Sequence, residues 1–189
     1  MTMKAKKVDN GNFQGKLDLR RHFMRKYHGD GSARVFDCCQ GSAMLWNQLR
    51  REFPVASYWG VDMKPKPGRL QIDSARVLAQ PGWRDDVIDV DTYGSPWKHW
   101  EAILSTIDHP TTVFLTIGQA FFGTDKRLLQ ALGVDGLNLP AALKLKLQPR
   151  ALSHLLTMGC DHGIIPTEAV EVASAARTRY VGVRLEIER

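Results

Sequence analysis

The sequence predicts one α/β domain with a mainly parallel sheet and helices on both of its faces. Two observations predict this class: short β-branched or apolar runs alternate with segments of helical period, and several of the runs end in an aspartate. A third is the tail, where two strand-like runs are joined by a short link that favours an antiparallel hairpin. At 189 residues the chain is long enough to bury a self-sufficient core.

The predicted helices rest on apolar spacing and on stop signals. The first, Leu17–Tyr27, ends at a Gly-Asp-Gly sequence, and the second, Ala43–Phe53, is stopped by Pro54. Ser74 is predicted to cap the third helix, because serine commonly accepts a backbone hydrogen bond at a helix start. The helices after the first two are predicted at Ala75–Ala79, Pro96–Ile107, Leu128–Gly133 and Ala141–Met158.

The strands are predicted from short apolar or β-branched runs that are bounded by turns. The parallel strands are predicted at Arg34–Cys38, Tyr58–Val61, Leu70–Ile72, Val87–Val90 and Thr111–Ile117. The antiparallel pair is predicted at Ala169–Ala173 and Tyr180–Ile187. Aspartates stand at or just after the ends of the first four strands, so we expect their side chains at one edge of the sheet, where open α/β folds bind ligands.

The net charge of +6 lies entirely in residues 1–28, which hold eight lysines and arginines against two aspartates. We therefore divide the chain into a basic leader with a short helix, residues 1–29, and a domain over residues 30–189. Arg20, Arg21 and Lys26 are predicted to contact the phosphates of RNA or DNA. The alternative is a solvated leader with no such partner, because chain termini are often mobile.

Several classes of protein do not fit the composition. No apolar run approaches the length of a membrane span, and the N-terminus lacks the apolar core of a signal peptide, so we expect a cytoplasmic protein. Three cysteines, of which Cys38 and Cys39 are adjacent, do not make a disulfide framework. Cys160 and His162 lack the spacing of metal ligands, so no metal site is expected.

The turn after the first strand is the predicted cofactor loop. Gly41 follows Asp37 there and allows a ligand to approach the backbone closely, because glycine has no Cβ. Asp62 stands where dinucleotide-binding folds place the acid that accepts hydrogen bonds from ribose, and Asp73 is placed to accept one from an adenine amine. The missing Gly-x-Gly-x-x-Gly pattern disfavours a pyrophosphate cofactor and an oxidoreductase. The alternative is that these aspartates only cap the next helices.

The fourth strand ends in Asp89 and Asp91, which alternate with valines. Helix capping accounts for the Gly-Ser-Pro that follows, but it does not account for two aspartates at the end of a buried strand. We place Asp89 with the cofactor-binding residues and Asp91 with the catalytic residues.

These motifs together resemble those of the class I S-adenosylmethionine-dependent methyltransferases. The resemblance covers roughly residues 30–189 and rests on Val-Phe-Asp37-Cys-Cys-Gln-Gly41-Ser, Gly-Val-Asp62, Gln-Ile-Asp73 and Asp89-Val-Asp91. It implies S-adenosylmethionine as cofactor, with Gly41 against the methionine part, Asp62 on the ribose hydroxyls and Asp73 on the adenine amine. Where the family carries a second glycine in the loop, this chain has Ala43.

The sequence Asp89-Val-Asp91-Thr92-Tyr93-Gly-Ser-Pro more narrowly resembles an element of the tRNA N2,N2-dimethylguanosine methyltransferases, with Thr92 in place of a proline. This resemblance implies methyl transfer to an exocyclic nitrogen of a nucleic-acid base. Asp91 and the Thr92 carbonyl would accept hydrogen bonds from the amine, and Tyr93 would stack on the base. The alternative function is a non-catalytic nucleic-acid-binding protein on the same fold.

Overall fold

The computed structural model describes residues 12–64, 69–92, 96–118, 153, 156–158, 160, 163–173 and 178–187. The predicted helix Leu128–Gly133 and Tyr93 lie outside these residues, and so does most of the predicted helix Ala141–Met158. Among the helices that the structure describes, none is both long enough and apolar enough to cross a membrane.

Four helices and seven strands make up the described part of the fold. The helices are α1 (Phe13–Tyr27), α2 (Met44–Glu52), α3 (Ser74–Leu78) and α4 (Trp97–Thr106). The strands are β1 (Arg34–Asp37), β2 (Ser57–Asp62), β3 (Leu70–Gln71), β4 (Val87–Val90), β5 (Thr111–Gly118), β6 (Ile164–Ala173) and β7 (Thr178–Ile187).

The seven strands form one sheet in the order β3-β2-β1-β4-β5-β7-β6. The first five strands pair in parallel, and β7 lies antiparallel to both β5 and β6. This confirms the predicted fold class, including its antiparallel hairpin at the end of the chain. The register places Asp37 of β1 beside Asp89 of β4, so the carboxylates of two central strands share one edge of the sheet.

The helices cover both faces of the sheet. Because successive strand residues point to opposite faces, each face has apolar side chains for the helices to bury. On one face, Phe23 of α1 and Trp46 of α2 pack with Phe114 of β5. On the other face, Leu78 of α3 and Trp100 of α4 pack with strand residues in a second buried cluster. The carboxyl edge between these two layers is therefore where a ligand has access to the strand ends.

Helix α1 is part of this folded domain, although the sequence placed it in a separate leader. Leu17, Leu19, Phe23 and Met24 are buried, and the Phe23 ring packs edge-on against Phe114 with 5.6 Å between centroids. Burying an apolar side chain of this size contributes roughly 1.5–3 kcal/mol. Helix α1 therefore packs into the same buried cluster as the strands, although the sequence analysis assigns it to the leader over residues 1–29.

Two elements begin four or more residues before the predicted position. Helix α1 begins at Phe13 instead of Leu17, because the Asn12 side chain accepts a hydrogen bond from the Gly15 backbone at 2.8 Å and caps an extra turn. Strand β6 begins at Ile164 instead of Ala169, with a register irregularity between Pro166 and Glu168. Proline interrupts a strand pattern in sequence but is tolerated at the edge of a sheet.

Candidate active site

Three carboxylates lie at the carboxyl ends of β1, β2 and β4, and each has a different environment. Asp37 is buried, Asp62 is half-buried and Asp91 follows β4 with its side chain 32% exposed. The parallel pairing of these strands brings the three side chains to the same edge of the sheet. The predicted gathering of aspartates at one edge is thus present in the structure.

The loop after β1 is tied to the end of β2. The Gly41 backbone N–H donates to the Asp62 carboxylate at 3.1 Å, and the Gln40 N–H donates to the Val61 carbonyl at 2.9 Å. The Lys64 N–H donates to the other Asp62 oxygen at 2.9 Å. Each Asp62 oxygen keeps a further lone pair, so this carboxylate can still accept from a ligand hydroxyl.

Two residues of this loop adopt left-handed backbone conformations. Gly41 has φ of +50°, and Ala43 has φ of +57° at the residue preceding α2. Glycine takes this conformation without steric cost, whereas alanine does not. The glycine that the methyltransferase pattern carries at position 43 therefore has a physical reason, and alanine holds the same turn at a cost in stability.

Asp37 is a buried carboxyl group that is held by local donors. It accepts hydrogen bonds from the Tyr58 hydroxyl at 2.9 Å and from the Cys39 N–H at 3.3 Å. Burial, followed by the charge of Asp89, raises the pKa of Asp37 to about 7. A cationic group brought to this position would restore the ionised form.

Asp89 is enclosed by protein groups. The Arg20 guanidinium donates to both of its oxygens at 2.7 and 2.6 Å, and the Trp46 indole N–H donates to one of them at 2.7 Å. Arg20 is 1% exposed and Asp89 is 2% exposed. The predictions that Arg20 contacts phosphate and that Asp89 contacts the cofactor are therefore corrected, because this ion pair is buried between α1 and β4.

Asp91 is paired with Lys16, one of the eight cations of residues 1–28. The Lys16 ammonium donates to both Asp91 oxygens, at 2.6 and 2.7 Å. Burial tends to raise the pKa of Asp91, but the charges of Lys16 and Arg20 outweigh it and hold the pKa below its usual range. Asp91 is accordingly a carboxylate at neutral pH. Thr92 is half-buried next to it.

Asp73 caps α3, which corrects the prediction that Ser74 is the cap. Its side chain accepts from the Ala75 N–H at 3.0 Å, and its other oxygen pairs with Lys98 at 2.7 Å. The Ser74 hydroxyl instead lies 2.8 Å from Nε2 of His99. The structure therefore contains the helix cap that was the alternative role for Asp73. The binding of adenine by Asp73 stays a prediction.

Arg21 and Lys26 lie on the outer side of α1, and each forms an ion pair with a carboxylate. Arg21 donates to both oxygens of Glu52 at 2.7 and 2.6 Å, and Lys26 donates to Glu168 at 2.9 Å. The Lys26 side chain is 52% exposed. A phosphate would have to compete with these carboxylates, so phosphate contact by Arg21 and Lys26 stays a prediction.

Three residues of this region were not predicted as site residues. Lys16 lies one helical turn before Arg20, and Trp46 and Tyr58 donate to the strand-end aspartates. The spacing of Lys16 and Arg20 by four residues places both on one face of α1, and this was the signal available in the sequence. Their partners, Asp89 in β4 and Asp91 just after it, lie about seventy residues away, which no local pattern encodes.

The cysteines near the site are not thiolates. Burial raises the pKa of both Cys38 and Cys39 above the usual thiol value. No group of three or more potential metal ligands is found in the described ranges.

The strand order and the pairing of the strands define a Rossmann-like α/β protein with an antiparallel hairpin at the end of its sheet. No family model matches the chain, and no curated protein matches it. Solved structures do match: Trm1 from Pyrococcus horikoshii in complex with S-adenosyl-L-methionine has a TM-score of 0.62 and 14% identity over 95% of this chain and 54% of that one. This chain therefore spans about half the length of that Trm1 chain.

Two further structures have the same fold. TYW2 from M. jannaschii in complex with AdoMet has a TM-score of 0.55 and 10% identity over 92% of this chain and 77% of that one. Magnesium protoporphyrin IX methyltransferase from Synechocystis PCC 6803 with bound SAH has a TM-score of 0.54 and 15% identity over 92% of this chain and 83% of that one. At these identities the similarity establishes the fold.

Proposed function

We propose that this protein is an S-adenosylmethionine-dependent methyltransferase that modifies an exocyclic nitrogen of a nucleic-acid base. The observation that carries the proposal is the carboxyl edge of the sheet, where Asp62 is held by the Gly41 loop and Asp91 remains partly exposed. The solved structures that share the fold include proteins crystallised with S-adenosylmethionine or its demethylated product. The Asp89-to-Pro96 sequence supports the choice of acceptor.

On the cofactor side, the residues present fit the groups of S-adenosylmethionine. Asp62 would accept hydrogen bonds from the ribose hydroxyls, and Gly41 would lie against the methionine part, where a Cβ would intrude. Asp37 would face the methionine ammonium, whose charge favours the ionised carboxylate. Asp73 would accept from the adenine amine with a lone pair that its cap and its Lys98 contact leave over.

On the acceptor side, Asp91 would hold the amine. Bound S-adenosylmethionine would supply a methyl group from its sulfonium, so the sulfur–carbon bond breaks as a nitrogen–carbon bond forms. Asp91 would accept a hydrogen bond from one N–H of the acceptor amine. Its charge would offset the positive charge that develops on the nitrogen. The methylated nitrogen would then lose one proton to solvent. The Thr92 carbonyl would accept a hydrogen bond from the second N–H of the amine. Tyr93 would stack on a base that has been flipped out of the stack formed with its neighbouring bases.

The test of this function begins with the cofactor. Calorimetric titration with S-adenosylmethionine should give binding to the wild-type protein, and Asp62→Ala should weaken it by roughly ten- to a hundredfold, since a charge-assisted hydrogen bond is lost. Asp108→Ala is the matched control, because Asp108 is an exposed aspartate that pairs with Arg84 away from the carboxyl edge. Equal affinity in both variants would contradict the assignment of Asp62.

The same titration separates the two functions that the sequence left open. A non-catalytic nucleic-acid-binding protein has no need to bind S-adenosylmethionine, whereas the methyltransferase must bind it. Mass spectrometry of nucleosides from RNA and DNA incubated with the protein and labelled cofactor then identifies the acceptor. Label recovered only in protein or in small molecules would reject a nucleic-acid acceptor.

A further inference from the structure

The Lys16 ammonium is bound to the carboxylate to which the proposed function assigns the acceptor nitrogen, that of Asp91. The ammonium lies 2.6 and 2.7 Å from the two Asp91 oxygens, which are hydrogen-bond distances that an acceptor amine would also adopt. Lys16 is 8% exposed, and its Nζ lies 4.8 Å from the centre of the Tyr180 ring. An acceptor therefore reaches Asp91 from the exposed side and meets a carboxylate that already holds a cation.

Arg20 and Lys16 differ in how firmly they are held. Arg20 is fixed by two bonds to Asp89 and by a third to the Lys16 carbonyl at 3.0 Å, and Trp46 holds Asp89 from the other side. Lys16 has one compact ammonium on a flexible stem and is the fourth residue of α1. A cation near a helix N-terminus is disfavoured by the helix dipole. Lys16 is the cation of this pair that can exchange its partner.

We propose, building on the proposed function, that the acceptor base amine replaces Lys16 on Asp91 and that a phosphate of the same acceptor takes up the displaced ammonium. Lys16 then makes the site select amines that are carried on a charged phosphate backbone. Without a phosphate, a neutral amine would leave a poorly solvated ammonium with no anion. The loss of one charge-assisted bond corresponds to about a ten- to hundredfold weaker binding.

The experiment compares two matched probes. One is a short single-stranded RNA that contains adenine, guanine and cytosine; the other has the same bases joined by neutral methylphosphonate linkages. Their affinities are measured by fluorescence titration with wild-type protein, Lys16→Met and Lys16→Arg. The preference is the affinity for the charged probe divided by the affinity for the neutral probe. We expect this ratio to be about ten- to a hundredfold larger in the wild type than in Lys16→Met. Lys16→Arg should retain the preference, because it retains the charge.

The matched control is Lys98→Met, which removes a lysine from the lysine–aspartate pair formed by Lys98 and Asp73. Its preference for the charged probe should stay close to that of the wild type. An equal loss in Lys98→Met and Lys16→Met would overturn the proposal, because general electrostatic attraction would then suffice. So would an unchanged preference in a folded Lys16→Met protein, or a wild type that binds neither probe.

These measurements need no cofactor and no methyl transfer. If the wild-type protein fails to bind S-adenosylmethionine, the proposed function is disproved. The probe comparison still decides whether Lys16 binds a phosphate of the acceptor. A second readout is the Asp91 carboxyl group, followed by carbon NMR. Its pKa should rise in Lys16→Met, and adding the charged probe to the wild type should perturb the Lys16 ammonium signal.

Discussion

Asp89 and Asp91 lie two positions apart, yet only one of them is accessible. Asp89 is 2% exposed and is saturated by Arg20 and Trp46, whereas the Asp91 side chain is 32% exposed. Under the proposed function, Asp91→Ala should lower single-turnover methyl transfer by roughly a hundred- to a thousandfold, because the charge that would stabilise the developing positive nitrogen is lost. Cofactor affinity should stay within about twofold, since Asp62 and the loop are untouched. Near wild-type transfer would show that Asp91 is only a strand end.

Ala43 offers a test of backbone strain at a single residue. Its φ of +57° lies in the region that glycine adopts freely, so Ala43→Gly should stabilise the protein by about 1 kcal/mol in urea unfolding. Ala102→Gly is the control with the opposite sign, because Ala102 lies inside α4 and glycine there costs about 1 kcal/mol or more. A destabilised Ala43→Gly would mean that the loop does not adopt this turn.

At the scale of the elements, the buried pair of Arg20 and Asp89 joins α1 to β4. Arg20→Met should destabilise the fold by about 3–5 kcal/mol, because Asp89 is left as an uncompensated buried charge. The double variant Arg20→Met with Asp89→Leu should recover much of that loss, since both charges are then gone. Urea unfolding measures both effects.

The matched control is the exposed pair of Arg84 and Asp108. Arg84→Met should change the free energy of unfolding by less than about 1 kcal/mol, as exposed ion pairs contribute little. A similar loss in Arg20→Met and Arg84→Met would contradict the structural role of the buried pair.

The elements also show how far sequence reasoning reaches. The strand β4 was predicted with the bounds that the structure has, because a short run rich in β-branched residues is typical of a strand. The aspartates of the first, second and fourth strand ends were predicted to gather, since parallel strands share one carboxyl edge. Helix α1 was placed outside the domain because its charges dominate its composition.

The pairings were not predictable from the sequence. Nothing in the sequence distinguishes Arg20 and Lys16 from cations that face solvent. Only the packing of α1 against the sheet brings them to Asp89 and Asp91. The cap of α3 was assigned to Ser74, one residue late, because serine and aspartate are equally good caps in that position. Local chemistry therefore predicted which carboxylates gather but not which cations reach them.

At the scale of the whole molecule, stability should depend on pH through Asp37. Its pKa of about 7 in the folded protein lies above the usual value of 3.8, so the folded state binds a proton that the unfolded chain has released. This contribution is fully present below about pH 4 and is lost as the pH rises through 7. His28 and His99 act in the opposite direction, because burial lowers the pKa of each to about 4.

The contribution of Asp37 can be isolated by comparing the wild type with Asp37→Asn. Both proteins keep His28 and His99, so the histidine contributions cancel in the difference between them. From pH 5 to pH 8 the wild type should lose about 2–3 kcal/mol of unfolding free energy relative to Asp37→Asn, given a folded pKa near 7. Urea unfolding at the two pH values measures this difference, with Asp108→Asn as the exposed control. Parallel pH dependence of the wild type and Asp37→Asn would mean that Asp37 is already ionised in the folded protein, held so by a cation or by water at the carboxyl edge.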